Sequence, residues 1–382
     1  MQELTLTNAM VFTGTGVLTG ASVRIANGLI QEVTTSRLAD ANAMDLRGQW
    51  LVPGLVDLQV YGGSEQFLNA APTAQTVSHL YETHLKNGTT SVLPTLFSSA
   101  HEAVLQAIEA VREVRQTNPV GVLGLHLEGP YVNPVKRGVH SALHVRSPIE
   151  SELNDILKKG RDVVQILTLA PELFPSEQLS DLIRPASDAG IRLSLGHSNA
   201  TYQEATAAFQ AGIPLATHLY NAMRPFESRE PGCVGAIFDH PTVRASIVAD
   251  GFHCDWATIR IAKRLLGDRL FLISDALFAN PPRASCTFED LAIRYEDGRY
   301  TNTAGQLAGS SITLLDAVRN VIRHVGIDPA EAFRMASTVP ADILGLGSSL
   351  GKIEPGFVAN LVVLTDSLTV SDVIVGGRLT SR

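Results

Sequence analysis

Glu128, His197, His218 and Asp275 each stand where an apolar, β-rich run of residues ends. VGVLGLHLEGP carries Glu128, IRLSLGHSNAT carries His197, PLATHLYNAM carries His218 and LFLISDA carries Asp275. Two imidazoles and a carboxylate give a divalent ion such as zinc three N/O ligands and leave a position open for water, as a catalytic metal site requires. An ion so held lowers the pKa of its water from about 15.7 to about 7 and polarises a carbonyl oxygen, so hydrolysis is the chemistry to expect. Asp275 is then the candidate general base, taking a proton and returning it to the leaving nitrogen. A single His or Glu at a strand end is usually just a hydrogen-bonded polar residue. The combination at four strand ends is what points to a metal-dependent hydrolase.

Such ligands need strands that all finish on one side, and a (β/α)8 barrel builds its active site at that C-terminal rim. The middle of the chain alternates accordingly. Apolar strand candidates fall near residues 51–59, 90–96, 120–128, 163–170, 191–197, 214–219, 243–249 and 269–275, which makes the eight a barrel needs. Helix signals occupy the gaps. Thr201 and Glu204 form a capping box before an Ala-rich run to Gly212, Asp255 caps WATIRIAKRLL up to Gly267, and Asp328-Pro329 opens another. After the eighth strand, Asp297-Gly298 in TFEDLAIRYEDGRYTN predicts a β-hairpin over the rim. Both chain ends are β-rich with Asn27-Gly28 and Gly376-Gly377 turns, and Pro53-Gly54 and Pro355-Gly356 mark boundaries. The expected architecture is α/β: a barrel over 53–354 and a small β-sandwich made from 1–52 and 355–382.

Composition narrows the class. The chain has 382 residues, 45% hydrophobic and 18% charged, which suits an ordinary soluble globular protein with buried parallel strands. A net charge of −8 argues against a nucleic-acid or anionic-membrane surface, so any anionic ligand must be held locally. Cys233, Cys254 and Cys286 are too few and too scattered for a disulfide framework, which suits a reducing compartment. No signal-peptide pattern or long apolar span is visible, so the cytoplasm is the expected location.

HLEGP, GHSNAT, THLYNAM and SDA, with VPGLVDLQVYGG upstream and LAGSSIT downstream, resemble the amidohydrolase superfamily and within it the N-acetylglucosamine-6-phosphate deacetylase family. The similarity covers nearly the whole chain. It implies a barrel with a small β-sandwich, usually a homodimer, that releases acetate from N-acetylglucosamine 6-phosphate. It also implies one divalent ion per subunit held by Glu128, His197 and His218, with zinc as first choice and iron, cobalt or manganese as alternatives. Asp275 would be the base, and His140 would support the carbonyl oxygen as it gains charge, a term that is large in acyl transfer. The phosphate would lie near Asn221, Ala222, Arg229 and His253, with Arg229 offering its planar fork. Ala308 and Gly309 would touch the sugar hydroxyls, although LAGSS reads equally well as a tight turn before a helix. The alternatives are the galactosamine epimer, or a cyclic-amide or dipeptide hydrolase on the same scaffold.

Two departures stand out. Many amidohydrolases carry HxH where this chain has Gln59-Val60-Tyr61. An amide is a weaker ligand than imidazole, so one metal is expected, with Gln59 orienting water or touching the metal weakly. The segment ALFANPP at 276–282 also differs from the family pattern, which leaves the sugar identity open. His126, two residues before Glu128, reads as a packed neighbour or a rival ligand. His79, His84, His101, His144, His240 and His324 read as surface residues. Trp256, Tyr61, Phe67 and Phe278 read as core or rim packing, or as walls of a sugar pocket.

Overall fold

The computed structural model describes residues 3–380 apart from 37, 39, 41 and 280. Two compact units emerge, one made of 1–57, 82–91 and 313–382 and the other of 58–81 and 92–312.

In the first unit, β1 (Glu3–Phe12), β2 (Val17–Ala26), β3 (Leu29–Thr34), β4 (Met44–Asp45) and β5 (Trp50–Pro53) come from the head of the chain. Asn27 and Gly28, at φ 53° and 78°, make the tight β2–β3 turn anticipated from the sequence. These strands join three from the tail, which appear below as β17–β19, in one continuous sheet. The bridge Leu29–Val358 brings the outer strand back beside the tail, so the sheet curls around a shared core. Leu6, Val11, Val23, Ile25 and Leu51 from the head pack there with Phe357, Leu361, Val363 and Ile374 from the tail.

The barrel strands are β6 (Leu55–Val60), β7 (Thr89–Phe97), β8 (Leu125–Glu128), β9 (Val164–Leu169), β10 (Arg192–Leu195), β11 (Leu215–Ala216), β12 (Arg244–Val248) and β13 (Leu270–Ile273). They lie side by side in chain order, and the pairs from β7 to β13 are parallel. A parallel bridge from Val60 to Ala276 closes the ring. The run expected over 51–59 is in fact two strands. β5 ends at Pro53 and pairs with β17 (Leu361–Leu364), whereas β6 restarts at Leu55 in the barrel.

Helices follow the strands as the caps foretell. Thr201 and Glu204 close a capping box on helix Tyr202–Ala211, and Asp255 accepts from Ala257 N–H at the start of Trp256–Leu266. His84 departs from its expected surface position and is fully buried on helix Ala74–Leu85. It falls one or two turns from Val77 and Leu80 on the inward stripe. The hairpin expected after the eighth strand is larger, a three-stranded antiparallel sheet of β14 (Ser285–Phe288), β15 (Leu291–Glu296) and β16 (Arg299–Asn302). Its Asp297-Gly298 turn is present at φ 51° and 83°. β18 (Val370–Val375) and β19 (Arg378–Leu379) complete the tail. Among the described residues, no helix is long and apolar enough to cross a membrane.

Candidate metal centre and active site

His197, His218 and Asp275 follow their strands directly, and all three are left-handed, at φ 48°, 35° and 56°. A non-glycine residue there costs on the order of 1–3 kcal/mol, and such strain persists where the surroundings over-determine it, often at functional sites. Here the turn at each strand end swings a polar side chain into the barrel mouth. Glu128 is the last residue of β8 and needs no such turn.

Three of these side chains meet, and Asp275 lines the same cavity. Glu128 Oε1 lies 2.9 Å from His218 Nε2 and 3.3 Å from His197 Nε2, and the two imidazole nitrogens are 3.1 Å apart. Glu128, His140 and His197 also each offer a ligand atom within 4.8 Å of the others, a cluster able to hold a metal ion. The hydrogen bonds distinguish the histidines. His197 Nδ1 is 2.9 Å from the carbonyl of Lys136. A carbonyl only accepts, so Nδ1 carries the proton of the neutral ring and Nε2 presents a lone pair to the cluster. The opposite holds for His140, whose Nδ1 receives the backbone N–H of Ser98 and sits 2.8 Å from its hydroxyl. Its Nε2 therefore carries the hydrogen and donates toward Glu128 Oε2 at 3.3 Å. His140 thus faces the cluster with an N–H, whereas His197 faces it with a lone pair.

This donor set fits a divalent cation. A carboxylate and the bare nitrogen of His197 crowd together in a buried place, where lone pairs repel unless a positive charge lies between them. His218 Nδ1 is buried with no hydrogen-bond partner, so this ring is committed to the cluster through Nε2.

The two carboxylates titrate in opposite directions. Burial by itself would raise Glu128, but His197, His140 and His218 outweigh it and hold the carboxyl well below its usual range. Asp275 is pushed up from 3.8 to about 8, chiefly by burial, with His218 opposing and Glu128 adding repulsion. A carboxyl with a raised pKa beside a metal-type cluster suits proton transfer in both directions.

Tyr61, Glu128, Lys136, His140, His197, His218, Asn221, Ala222, His253, Asp275, Ala308 and Gly309 all line one cavity of about 340 Å³. The rest of its wall includes Phe97, Val139, Leu277, Leu291 and Ile293, so a polar floor faces an apolar side. His253 donates from Nδ1 to buried Asp250 at 2.7 Å, leaving Nε2 toward the cavity 3.8 Å from Asp275. Gly309 has φ 67°, and a Cβ there would come 3.0 Å from the Asp275 carbonyl, so a side chain at this position would strain the backbone and crowd that carbonyl.

Of the residues expected at the site, Gln59 does not line this cavity and neither does Arg229. Arg229 is exposed, in a loop where Glu227 N–H bonds to the Glu230 carbonyl and Glu230 Oε1 accepts from Tyr202 and Gly232 N–H. Gln59 reaches the centre by donating to Glu128 Oε1 at 2.9 Å. His126 is no rival ligand, because Leu58 O at 2.9 Å and Thr168 Oγ1 at 2.7 Å occupy both its nitrogens. Burial pushes it down to about 4, so it is neutral at ordinary pH. Phe67 and Phe278 are core residues, while Tyr61 does line the cavity. Asn280, inside the divergent 276–282 segment, lies outside the described residues. Sequence reasoning missed Asp250, whose only signal was its spacing in ADGFH, and Ser98, which had none.

The chain belongs to the amidohydrolase family, whose sequence model matches residues 50–380. The N-acetylglucosamine-6-phosphate deacetylase of Haemophilus influenzae is 36% identical over 98% of this chain and 98% of its own. The N-acetylgalactosamine-6-phosphate deacetylase of Shewanella sp. strain ANA-3 is 32% identical over 97% of this chain and 94% of its own. Among solved structures, the N-acetylglucosamine-6-phosphate deacetylase from Pasteurella multocida matches with a TM-score of 0.95 at 34% identity, covering 100% of both chains.

Proposed function

We propose that this protein is a metal-dependent deacetylase that hydrolyses the acetamide of N-acetylglucosamine 6-phosphate to glucosamine 6-phosphate and acetate. The observation that carries the reading is the meeting of Glu128, His197 and His218 beside a raised Asp275 and a donor-type His140 in one cavity. The names of the relatives at 36% and 34% identity supply the substrate.

In this reading Glu128, His197 and His218 would hold one divalent ion, zinc by preference, which would supply Lewis-acid polarisation and a more acidic water. Asp275 accepts a proton from the attacking water as its oxygen bonds to the acetyl carbon. His140 Nε2–H faces the carbonyl oxygen as it takes up negative charge. Asp275 then passes its proton to the sugar nitrogen, the C–N bond breaks, and amine and acetate leave. Asn221, Ala222 and His253 hold the phosphate end and Ala308 and Gly309 the sugar. Gln59 steadies Glu128. Arg229, exposed on its loop and outside the cavity, makes no contact in one subunit that would serve the phosphate role expected of it. For the domains the reading takes 1–52 with 355–382 and 53–354, bounded by the Pro53-Gly54 and Pro355-Gly356 turns. Three buried free thiols suit a cytoplasmic location.

The test is acetate release followed by NMR, with metal analysis alongside, on N-acetylglucosamine 6-phosphate, its galactose epimer and the unphosphorylated sugar. Fastest turnover of the first supports the proposal. Faster turnover of the epimer would favour the activity named for the relative at 32% identity. No acetate from any of the three overturns the reading.

A further inference from the structure

The side chain of residue 61 touches both carboxylates of the centre. β6 ends at Val60, and the alternation of a strand puts Gln59 and Tyr61 on the same side, toward the barrel mouth. The Tyr61 phenol oxygen accepts from Gln59 Nε2 at 2.7 Å. Its own O–H lies 2.7 Å from Glu128 Oε2 and 3.2 Å from Asp275 Oδ1. A hydroxyl has one proton to give, and the shorter contact marks Glu128 as the principal acceptor. With Gln59 Nε2 also 2.9 Å from Glu128 Oε1, both oxygens of this carboxylate receive a donor from the first barrel strand.

The main chain repeats the tie. Tyr61 N–H donates to Ala276 O at 2.9 Å, and Asp275 N–H donates to Gln59 O at 3.0 Å. The ring is 6% exposed and set edge-on against Phe97 with centroids 6.0 Å apart, so its orientation is fixed by packing. If packing were the whole purpose, a phenylalanine would serve equally well. The hydroxyl instead sits among three polar atoms within 3.2 Å in a buried place. Its loss would deprive Gln59 and Glu128 of a partner each.

We propose that Tyr61 is a positioning residue: its hydroxyl locks the metal-ligand carboxylate of Glu128 in register with the proton-transferring carboxylate of Asp275. The proposal rests on the deacetylase reading for its kinetic consequence, but not for its effect on the ligand set. Partners of this kind behind metal ligands change metal affinity or activity by about 10- to 100-fold when removed.

The experiment compares wild type with Tyr61→Phe, each loaded with zinc. Expected for Tyr61→Phe is a kcat on N-acetylglucosamine 6-phosphate lower by about 10- to 100-fold, with KM within about twofold and a thermal midpoint lower by no more than a few degrees. Zinc should also pass to EDTA about tenfold faster. A kcat and a zinc-release rate both at wild-type values would overturn the proposal, as would kcat, KM and the thermal midpoint all deteriorating together. If Tyr61→Phe does not fold, Gln59→Met removes the amide that orients the phenol while keeping the phenol itself. It should lower kcat and speed zinc release in the same direction by a smaller factor, and a folded Gln59→Met with wild-type values for both refutes the idea. Should wild type release no acetate at all, the deacetylase reading fails, while the zinc-release comparison still decides the role of Tyr61.

Discussion

The floor and the side wall of the cavity are built on different principles. On the floor, Glu128, His197, His218 and Asp275 come from four strand ends, and nearly every polar atom has a named partner that sets its tautomer or orientation. The wall, with Leu291 and Ile293 from β15 and Leu277 and Ala308 beside them, is held by packing against Phe278 and Tyr300. The floor stores strain in left-handed backbone and gathers charge, whereas the wall excludes water and shapes the space. In the proposed reading the floor carries the chemistry and the wall shapes the space above it.

If that division is right, the largest effect comes from the ligand set. Glu128→Gln keeps the shape but removes the charge, so turnover should fall by about a thousandfold or more, equal to roughly 4 kcal/mol. Metal analysis of the purified variant should find zinc well below one equivalent, and a fully loaded, active Glu128→Gln would break the comparison.

Next in size is Asp275→Asn, which should lose about 10²- to 10⁴-fold in kcat while retaining metal. The wild-type pH profile carries the sign. The base must be unprotonated, so kcat/KM rises with pH through the pKa of Asp275. Burial places that limb above 3.8, up to about 8, and a cation in the neighbouring ligand set lowers it within the same window. Residual activity of Asp275→Asn should lack this limb. A limb that persists unchanged assigns the proton transfer to another group.

The wall should respond in stability more than in chemistry. Ile293→Ala should cost about 2–4 kcal/mol in unfolding free energy and raise KM several-fold, with metal content and kcat near wild type. A thousandfold fall in kcat there would erase the distinction between floor and wall. The smallest effect concerns the cysteines. All three are buried, and burial pushes the Cys254 thiol up to about 12, so thiolate is scarce at pH 8. A disulfide-based thiol reagent should titrate no thiols in the folded protein and all three in denaturant.

Much of the barrel was legible because buried parallel strands leave apolar runs and helices announce their caps, as Thr201 and Asp255 do. The site was legible because its members are chemically distinctive and stand where those runs end. Pro53-Gly54 marked the boundary between the two sheets, but the apolar run over 51–59 still read as one strand where the structure has Trp50–Pro53 and Leu55–Val60. Nor could local patterns reveal a strand such as Ser285–Phe288, whose exposed and buried residues alternate too briefly to stand out.

What the sequence determined by itself is the inventory: which side chains can ligate, donate or move a proton, and which strand end presents each, because residue type and hydrophobic periodicity are local properties. Only the tertiary structure decided how the inventory is used. The Lys136 carbonyl sets the tautomer of His197, Ser98 sets that of His140, burial raises Asp275 while imidazoles lower Glu128, and Arg229 stays exposed on its loop outside the cavity. Each of these depends on atoms brought close from distant parts of the chain, and hydrogen-bond direction and desolvation act only across such distances.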